Sequence, residues 1–172
     1  NRNSGGASAG AGGGMNMQAG SLVIDTSTIA GNQAYSQGGG LFMAVGTRAN
    51  VNASTIFSNT TTRNQPNDSG GGVSSSGALT LTNSTVTNNR ATGTGGGVYA
   101  GAGRLVITGT TFSGNTAAGN GSALYMDAAT ATITGSTFTR NTASAAIFTY
   151  GNLLLDSVDI YSNTAGGVFA NA

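Results

Sequence analysis

The stretch LTLTNSTVTNNRATGTGGGVYA, residues 79–100, contains a short apolar alternation, a polar phrase that closes at Asn89 and a glycine-rich segment. The central phrase, TNSTVTNN, recurs without gaps along the chain. Its copies are DTSTIAGN (25–32), NASTIFSN (52–59), TNSTVTNN (82–89), TGTTFSGN (108–115), TGSTFTRN (134–141) and DSVDIYSN (156–163). The closing asparagines lie 27, 30, 26, 26 and 22 residues apart. This is the length of one solenoid turn, so the sequence predicts that each copy forms one coil.

Two kinds of apolar alternation flank the phrase. One precedes it, as in Leu79 and Leu81, and the other follows it after glycines, as in GGGVYA at 95–100. Period-two patterns rich in β-branched and aromatic residues, bounded by Gly and Asn, are typical of strands. A helical repeat is the main alternative, but it is disfavoured because 30 of the 172 residues are glycine and glycine destabilises helices. We therefore expect three short strands in each coil.

Coils chained in one direction place equivalent strands side by side and parallel, which predicts an all-β, right-handed parallel β-helix. It would form a single solenoid over residues 1–172, with about six coils of 22–30 residues and a partial first coil. The period also argues against a disordered linker of similar composition. Two columns are predicted to fill the core: Ile29, Ile56, Val86, Phe112, Phe138 and Ile160, and Met15, Leu41, Val73, Val98, Leu124, Ile147 and Val168.

The repeated asparagine falls at the end of a predicted strand. Amide side chains stacked in successive coils can hydrogen-bond one another and the backbone, and asparagine tolerates a left-handed turn conformation. We expect a structural internal ladder, with Asn3 as a further candidate. Its members are Asn32, Asn59, Asn89, Asn115, Asn141 and Asn163.

The combination of Gly-Gly before an aliphatic residue with Phe-x-x-Asn resembles the repeats of polymorphic outer-membrane proteins. More loosely, the chain is similar to right-handed β-helix proteins of the pectin-lyase-like group. The segments 112–115 and 138–141 match the Phe form, while Ser122-Ala123 and Ala145-Ala146 replace Gly-Gly. The resemblance implies an extracellular or cell-surface protein, often adhesive and often one segment of a longer chain.

Composition narrows the classes of partner. Six Arg and five Asp, with no Lys, Glu, His or Cys, give a net charge of +1. Dispersed arginines do not make the dense basic patch that nucleic acids require, so no nucleic-acid partner is expected. No disulfide or thiolate metal site is available, and no apolar run is long enough for a membrane-spanning helix.

Catalytic chemistry has few candidate residues. Asp156 and Asp159 are the one close carboxylate pair, and no His, Lys or Glu completes an acid–base set. Calcium is the alternative for this pair, because oxygen ligands suit it. The glycine runs do not open a helix after a strand, as a phosphate cradle requires. We therefore expect no catalytic residues, no resident metal and no cofactor, and an enzyme acting on polysaccharide is the least favoured function.

Strand alternation directs two further columns outward. The first is an aromatic stripe, interrupted by Ser74, that is expected to bind sugar rings or a neighbouring chain unless a long loop covers it. The stripe consists of Phe42, Tyr99, Tyr125, Phe148 and Phe169. The second forms threonine rows, broken by Ala30, Phe57 and Tyr161, that suggest ice binding as another alternative. These rows consist of Thr28, Thr55, Thr85, Thr87, Thr111, Thr137 and Thr139.

Five sequons make candidate N-glycosylation sites in a secreted protein, namely Asn52, Asn59, Asn67, Asn83 and Asn120. The chain starts and stops inside a coil, which favours either an excerpt of a longer solenoid or end-to-end contact with other copies. The leading hypothesis is a non-enzymatic extracellular or cell-surface structural protein, such as a stalk, a filament subunit or an adhesin segment. Its expected partners are neighbouring coils, further copies of itself and glycans. A carbohydrate- or ice-binding module is the alternative.

Overall fold

The computed structural model describes residues 2–3, 10–63, 65, 68–142 and 144–171. Within these ranges the chain winds as a parallel solenoid of strands and turns, without a helix. The first four coils visit four sheets in the same order, the last two have no described strand in the third sheet, and every strand pair is parallel and joins one coil to the next. The predicted all-β parallel solenoid of about six coils is therefore confirmed.

Strands of the four sheets have the following bounds. The first sheet contains Ser21–Asp25, Arg48–Asn52, Ala78–Thr82, Arg104–Thr108, Thr130–Thr134 and Leu153–Asp156. The second contains Thr28–Ala30, Thr55–Phe57, Thr85–Thr87, Thr111–Ser113, Thr137–Thr139 and Asp159–Tyr161. The third contains Arg2–Asn3, Gln33–Ala34, Thr60–Thr61, Arg90–Ala91 and Thr116–Ala117. The fourth contains Met15–Met17, Leu41–Met43, Val73–Ser75, Val98–Ala100, Leu124–Met126, Ile147–Thr149 and Val168–Ala170.

The third sheet was not predicted, so the expectation of three strands per coil was wrong for the first four coils, while the last two have three described strands each. Its strands have two residues, too few for an alternation to be visible. They do leave one signal, because the second residue after the first four ladder asparagines is small and buried, as at Ala34 and Ala91. The same sheet corrects the placement of Asn3. Asn3 pairs with Ala34, two positions beyond the ladder column, because backbone pairing with the strand Gln33–Ala34 sets its register.

The predicted core columns lie inside the solenoid. Leu81 pairs in register with Val51 and Ile107, and all three are fully buried. In the second sheet, the rings of Phe112 and Phe138 stack with centroids 4.6 Å apart. The core is wider than predicted, because the last residue of each fourth-sheet strand also points inward. The buried members of this further column are Met17, Met43, Ser75, Ala100, Met126 and Thr149.

The last coil departs from the predicted core. Ile160 is half-buried, and Val168 is 43% exposed. Their side chains point toward the same interior as their counterparts in earlier coils, but each has a neighbouring coil on one side only. Burial of a core side chain in this solenoid therefore depends on the coils above and below it.

Left-handed backbone conformations recur at the two bends that flank the second sheet. One joins the first and second sheets, where φ lies between 44° and 57°, at Thr26, Ala53, Asn83, Gly109, Gly135 and Ser157. The other directly precedes the ladder asparagine, where φ lies between 51° and 64°, at Gly31, Ser58, Asn88, Gly114, Arg140 and Ser162. The ladder asparagine itself does not take this conformation, although asparagine tolerates it. The preceding residue makes the turn, which leaves the asparagine side chain free to point inward.

The structure joins the six repeated asparagines into one internal ladder. The Asn89 Nδ2 donates to Asn115 Oδ1 at 3.1 Å and to the carbonyl oxygen of Ile56 at 2.9 Å. The Asn89 backbone N–H donates to the same Asn115 Oδ1 at 3.0 Å. In turn, Asn89 Oδ1 accepts from the backbone N–H and from Nδ2 of Asn59. Each of the four inner amides therefore links three successive coils, and the side-chain links run from Asn32 to Asn163.

A second polar ladder, which the sequence analysis missed, runs through the bend between the first and second sheets. Ser84 Oγ accepts from the backbone N–H of Ser54 at 3.2 Å and donates to the carbonyl oxygen of Thr82 at 2.7 Å. The same pattern links Ser27, Ser54, Ser84, Thr110 and Ser136. The signal was the hydroxyl residue at the third position of five of the six phrases, which is hard to distinguish in a chain so rich in Ser and Thr.

Two adjacent asparagines test the ladder. Asn89→Ala removes the acceptor for two Asn59 donors inside the core, so we expect the free energy of unfolding to fall by at least about 3 kcal/mol. Asn88→Gly, the matched control, changes an exposed residue with φ of 53° and should be neutral or stabilise by up to about 1 kcal/mol. Urea unfolding followed by circular dichroism measures both. Equal stability of the two variants would contradict the ladder's role.

Candidate functional site

The aromatic stripe lies on the outer face of the fourth sheet. Tyr99 pairs in register with Tyr125, and Tyr125 with Phe148. Their rings are nearly parallel, with centroids 5.5 Å apart in both pairs and interplanar angles of 7°. Phe148 stacks in turn on Phe169 at 4.7 Å. Because each inner ring is covered on both faces by its neighbours, this stack presents mainly ring edges and phenol hydroxyls outward.

The stripe is interrupted at Ser74, which is buried although it occupies an outward position. The longest insertion of the chain reaches this position. Ser69, which is also buried, pairs with Gln37 and Thr94 and places its Oγ 3.4 Å from Ser74 Oγ. The expected alternative of a covering loop therefore applies at Ser74. Phe42, Tyr99 and Tyr125 remain half-buried.

A buried carboxylate anchors this insertion. Asp68 is fully buried and accepts from Arg63 Nε at 2.9 Å, from the backbone N–H of Gln65 at 2.9 Å and from Thr92 Oγ1 at 3.1 Å. The guanidinium carbon of Arg63 also lies 6.0 Å from the ring centroid of Tyr35. Asp68 therefore has a structural role in holding the loop against the solenoid.

Tyr150 extends the aromatic stack sideways, and the sequence analysis missed it. It lies two residues beyond Phe148, so strand alternation predicts the same outward face. Its ring centroid is 5.3 Å from that of Phe148, with an interplanar angle of 66°, and 6.3 Å from that of Tyr125. Because stacking neighbours cover the faces of those two rings, we infer that Tyr150 contacts their edges. One face of Tyr150 is then left uncovered by these rings, and the residue is 46% exposed.

Phe148 corrects the expectation of a fully exposed stripe. It points outward by register, yet only 7% of its surface is exposed. Tyr125, Phe169 and Tyr150 surround its ring. Phe169, in the last coil, has a stacking partner on one side only and is 50% exposed.

Burial raises the pKa of the Tyr99 phenol above its ordinary value of 10.0, and the Asp127 carboxylate raises it further. The pKa of the Tyr125 phenol is raised by the same two causes in the same order, with smaller contributions from Tyr150 and Tyr99. Both phenols are therefore neutral at ordinary pH, and the charge of Asp127 contributes to the raised pKa of both.

Comparison with known proteins bears on the fold. A family model described as a right-handed beta-helix region matches residues 72–172, more than half of the chain. The chain belongs to the right-handed β-helix family. The match confirms the predicted fold and its handedness. No match was found among curated proteins or among solved structures.

The threonine rows of this β-helix lie on the second sheet. Thr85 pairs with Thr55 and Thr111, and the first row continues to Thr28 and Thr137. The second row is less regular. Thr87 Oγ1 lies 2.9 Å from the carbonyl oxygen of Ser113, which it can donate to, and 3.0 Å from Ser113 Oγ. Thr139 is only 9% exposed. The hydroxyls of the second row are therefore partly withdrawn from the surface.

The sequon asparagines occupy different environments in the β-helix. Asn59 is fully buried in the ladder, so its prediction as a glycan acceptor was wrong. Asn52 is exposed and donates to Asp25 Oδ1 at 2.7 Å, and Asn83 is exposed at a bend. Asn120 is half-buried at the rim of a groove of about 420 Å³. Asn67 lies outside the described residues.

The carboxylates of the β-helix are scattered. Among the described residues, no three His, Cys, Asp or Glu side chains come together in a group that could hold a metal ion. Asp156 and Asp159 lie on consecutive strands of the last coil, and Asp156 Oδ1 accepts from Ser157 Oγ at 3.0 Å. In the part of the chain that the structure covers, no helix is long and apolar enough to cross a membrane.

Alkaline titration tests the surroundings of the two phenols. A raised folded-state pKa means that the native state holds these protons more tightly than the unfolded chain does. The stabilisation is complete below about pH 10 and is lost as pH rises through the folded-state pKa. Phenolate absorbance should show late-titrating tyrosines that disappear in a Tyr99→Phe, Tyr125→Phe double variant.

Asp127→Asn is the companion variant. It should lower both pKa values while leaving them above 10.0, because burial is the larger cause. The assigned environment is wrong if wild type and Asp127→Asn titrate identically.

Proposed function

We propose that this β-helix is a non-enzymatic structural segment of an extracellular or cell-surface protein and serves as a stalk, filament subunit or adhesin segment. The observation that carries the proposal is that many of its polar side chains form hydrogen bonds within the fold. The amides of the Asn ladder and the hydroxyls of the Ser/Thr ladder bond to neighbouring coils. The carboxylate of Asp68, with the Arg63 guanidinium, anchors a loop. Amide, hydroxyl, carboxylate and guanidinium groups, which serve as catalytic or binding groups in other proteins, here stabilise the solenoid.

The proposed surface location rests on the repeat motifs. Gly-Gly before an aliphatic residue, together with Phe-x-x-Asn, resembles the repeats of polymorphic outer-membrane proteins. Few charged side chains and many Ser, Thr and Asn residues are compatible with long stacked columns at a surface.

Self-association is part of the same proposal. In the last coil, Leu153, Leu155 and Ile160 are only half-buried, although their counterparts in inner coils are buried. A further coil against this face, from the same chain or from another copy, would cover them and pair the free strand edges. Stabilisation would come from about 25 cal/mol for each Å² of apolar surface removed from water.

Carbohydrate binding is the second candidate, and the uncovered face of Tyr150 favours it. The stacked rings themselves are poor sugar platforms, because sugars stack on ring faces and the inner faces are occupied. Ice binding is less favoured, since Phe57, Tyr161 and the withdrawn hydroxyls of the second threonine row disrupt a regular array. Enzymatic activity on polysaccharides is the least favoured.

Deleting one coil distinguishes the scaffold hypothesis from the binding-module hypothesis. Removing residues 116–141 takes out 26 residues, joins Asn115 to Thr142 and preserves the register of every sheet. As a scaffold, the shortened chain should fold with native-like circular dichroism and lose about 4.8 Å of length in small-angle X-ray scattering. A control deletion of residues 116–128 breaks the register and should not fold.

Glycan-array binding is measured on the same proteins, together with Tyr150→Ala in the full chain. The structural proposal predicts no glycan binding that depends on Tyr150. Specific binding by the wild type that Tyr150→Ala abolishes would replace it with the carbohydrate-binding function.

A further inference from the structure

A carboxylate lies beside the aromatic stack at the bend between the fourth and first sheets. Asp127 and Tyr150 directly follow the strands Leu124–Met126 and Ile147–Thr149, at the same position of successive coils. The Asp127 N–H donates to the carbonyl oxygen of Ala100 at 3.0 Å, and the Tyr150 N–H donates to that of Met126 at 2.9 Å. Alternation puts Asp127 on the same outward side as Tyr125. The raised phenol pKa values agree that this carboxylate is close to the stack.

This Tyr–Asp pair has no cationic partner. Asp127 is exposed, and among the described residues its side chain forms neither an ion pair nor a hydrogen bond. Tyr150 is 46% exposed. An aromatic face next to a carboxylate attracts a guanidinium group, which can lie over the ring and hydrogen-bond the carboxylate together.

Elsewhere in the same molecule, an arginine lies near an aromatic ring and pairs with a carboxylate. Arg63 lies 6.0 Å from the ring centroid of Tyr35 and pairs with Asp68 at 2.9 Å. The site at Tyr150 and Asp127 has the aromatic ring and the carboxylate, and it differs in being open to solvent. Among the described residues no arginine of the same molecule forms an ion pair with Asp127, so a guanidinium bound there would come from another molecule.

Arg104 is the arginine best placed to supply it from a second copy. It is exposed and begins the strand Arg104–Thr108, in register with Thr130, three residues after Asp127. Arg104 and Asp127 thus lie at opposite sides of the same bend, in adjacent coils. A two-fold axis through this bend sets each Arg104 against the Asp127 of the other copy, as a self-complementary interface requires. The bend that leads into Arg104 consists of the small residues Gly101, Ala102 and Gly103, and the Tyr99 ring lies against Gly101.

We propose that this β-helix forms a two-fold symmetric dimer through the bend between its fourth and first sheets, with Arg104 of each copy bound between Tyr150 and Asp127 of the other. The proposal goes beyond the self-association proposed above, which would cover the last coil. The partner is a second copy, and the contact is lateral, so it leaves the ends of the solenoid free.

Sedimentation velocity on the full chain at low and high salt tests the dimer. Wild type should dimerise, and more weakly at high salt, because exposed ion pairs are screened. Arg104→Gln and Asp127→Asn should each raise the dissociation constant at least about tenfold, since every dimer contains two copies of the contact. Tyr150→Leu should weaken the dimer as well. Arg90→Gln, at an exposed arginine on the third sheet, is the control and should change nothing.

Charge exchange makes the test specific. Asp127→Arg and Arg104→Asp should each be monomeric alone, while their mixture should form a mixed dimer, because one contact then keeps its native Arg104–Asp127 polarity and the other is restored with the charges exchanged. All variants change exposed residues, and circular dichroism verifies their fold. A monomeric wild type at the highest attainable concentration, a loss of dimer with only one of the two neutral variants, or no recovery in the mixture would overturn the proposal. A folded monomer without glycan binding would leave the structural function standing.

Discussion

The hydrogen bond from one asparagine amide to the amide in the next coil is the interaction on which the rest of this β-helix depends. Each coil has to repeat the previous one about 4.8 Å further along, so every inward side chain stacks on its own counterpart. Asparagine suits this constraint because it carries both donors and an acceptor. In the ladder, one amide satisfies two donors of the coil below and donates to its neighbours in both directions. The turn residue before the asparagine allows its side chain to point inward, and a glycine lies close to the amide, as Gly72 does to that of Asn89.

The stacking constraint also explains the composition. A charged residue repeated in a column would place like charges opposite one another in successive coils, which destabilises a sheet. The chain instead separates its charges. Arg48 and Arg104 share a column with Ala78 between them, and Asp25 has Asn52 as its neighbour and hydrogen-bond donor. Neutral hydroxyl, amide and aromatic side chains tolerate such stacking, so few charged groups are left to make a site.

Much of this architecture could be predicted from the repeat. The register of the strands follows from the alignment of the repeats. The core columns, the Asn ladder, the outward aromatic stripe and the threonine rows therefore lie at the positions that this alignment predicts. Other features depend on contacts that a phrase does not encode. The third sheet has strands too short to alternate, and the Ser/Thr ladder uses residues that are common everywhere in the chain. Phe148 is covered by Tyr150 and Phe169, and Asn59 satisfies a sequon while its side chain is committed to the core.

Side-chain hydrogen exchange measured by NMR tests the central claim most directly. If the ladder holds the coils together, the Nδ2 protons of Asn59, Asn89 and Asn115 exchange only when the solenoid opens, so they should be as strongly protected as the backbone amides of the core strands. The exposed amides of Asn52 and Asn88 provide the reference and should exchange rapidly. Equally rapid exchange at ladder and exposed asparagines, in a chain whose backbone amides are protected, would contradict the account.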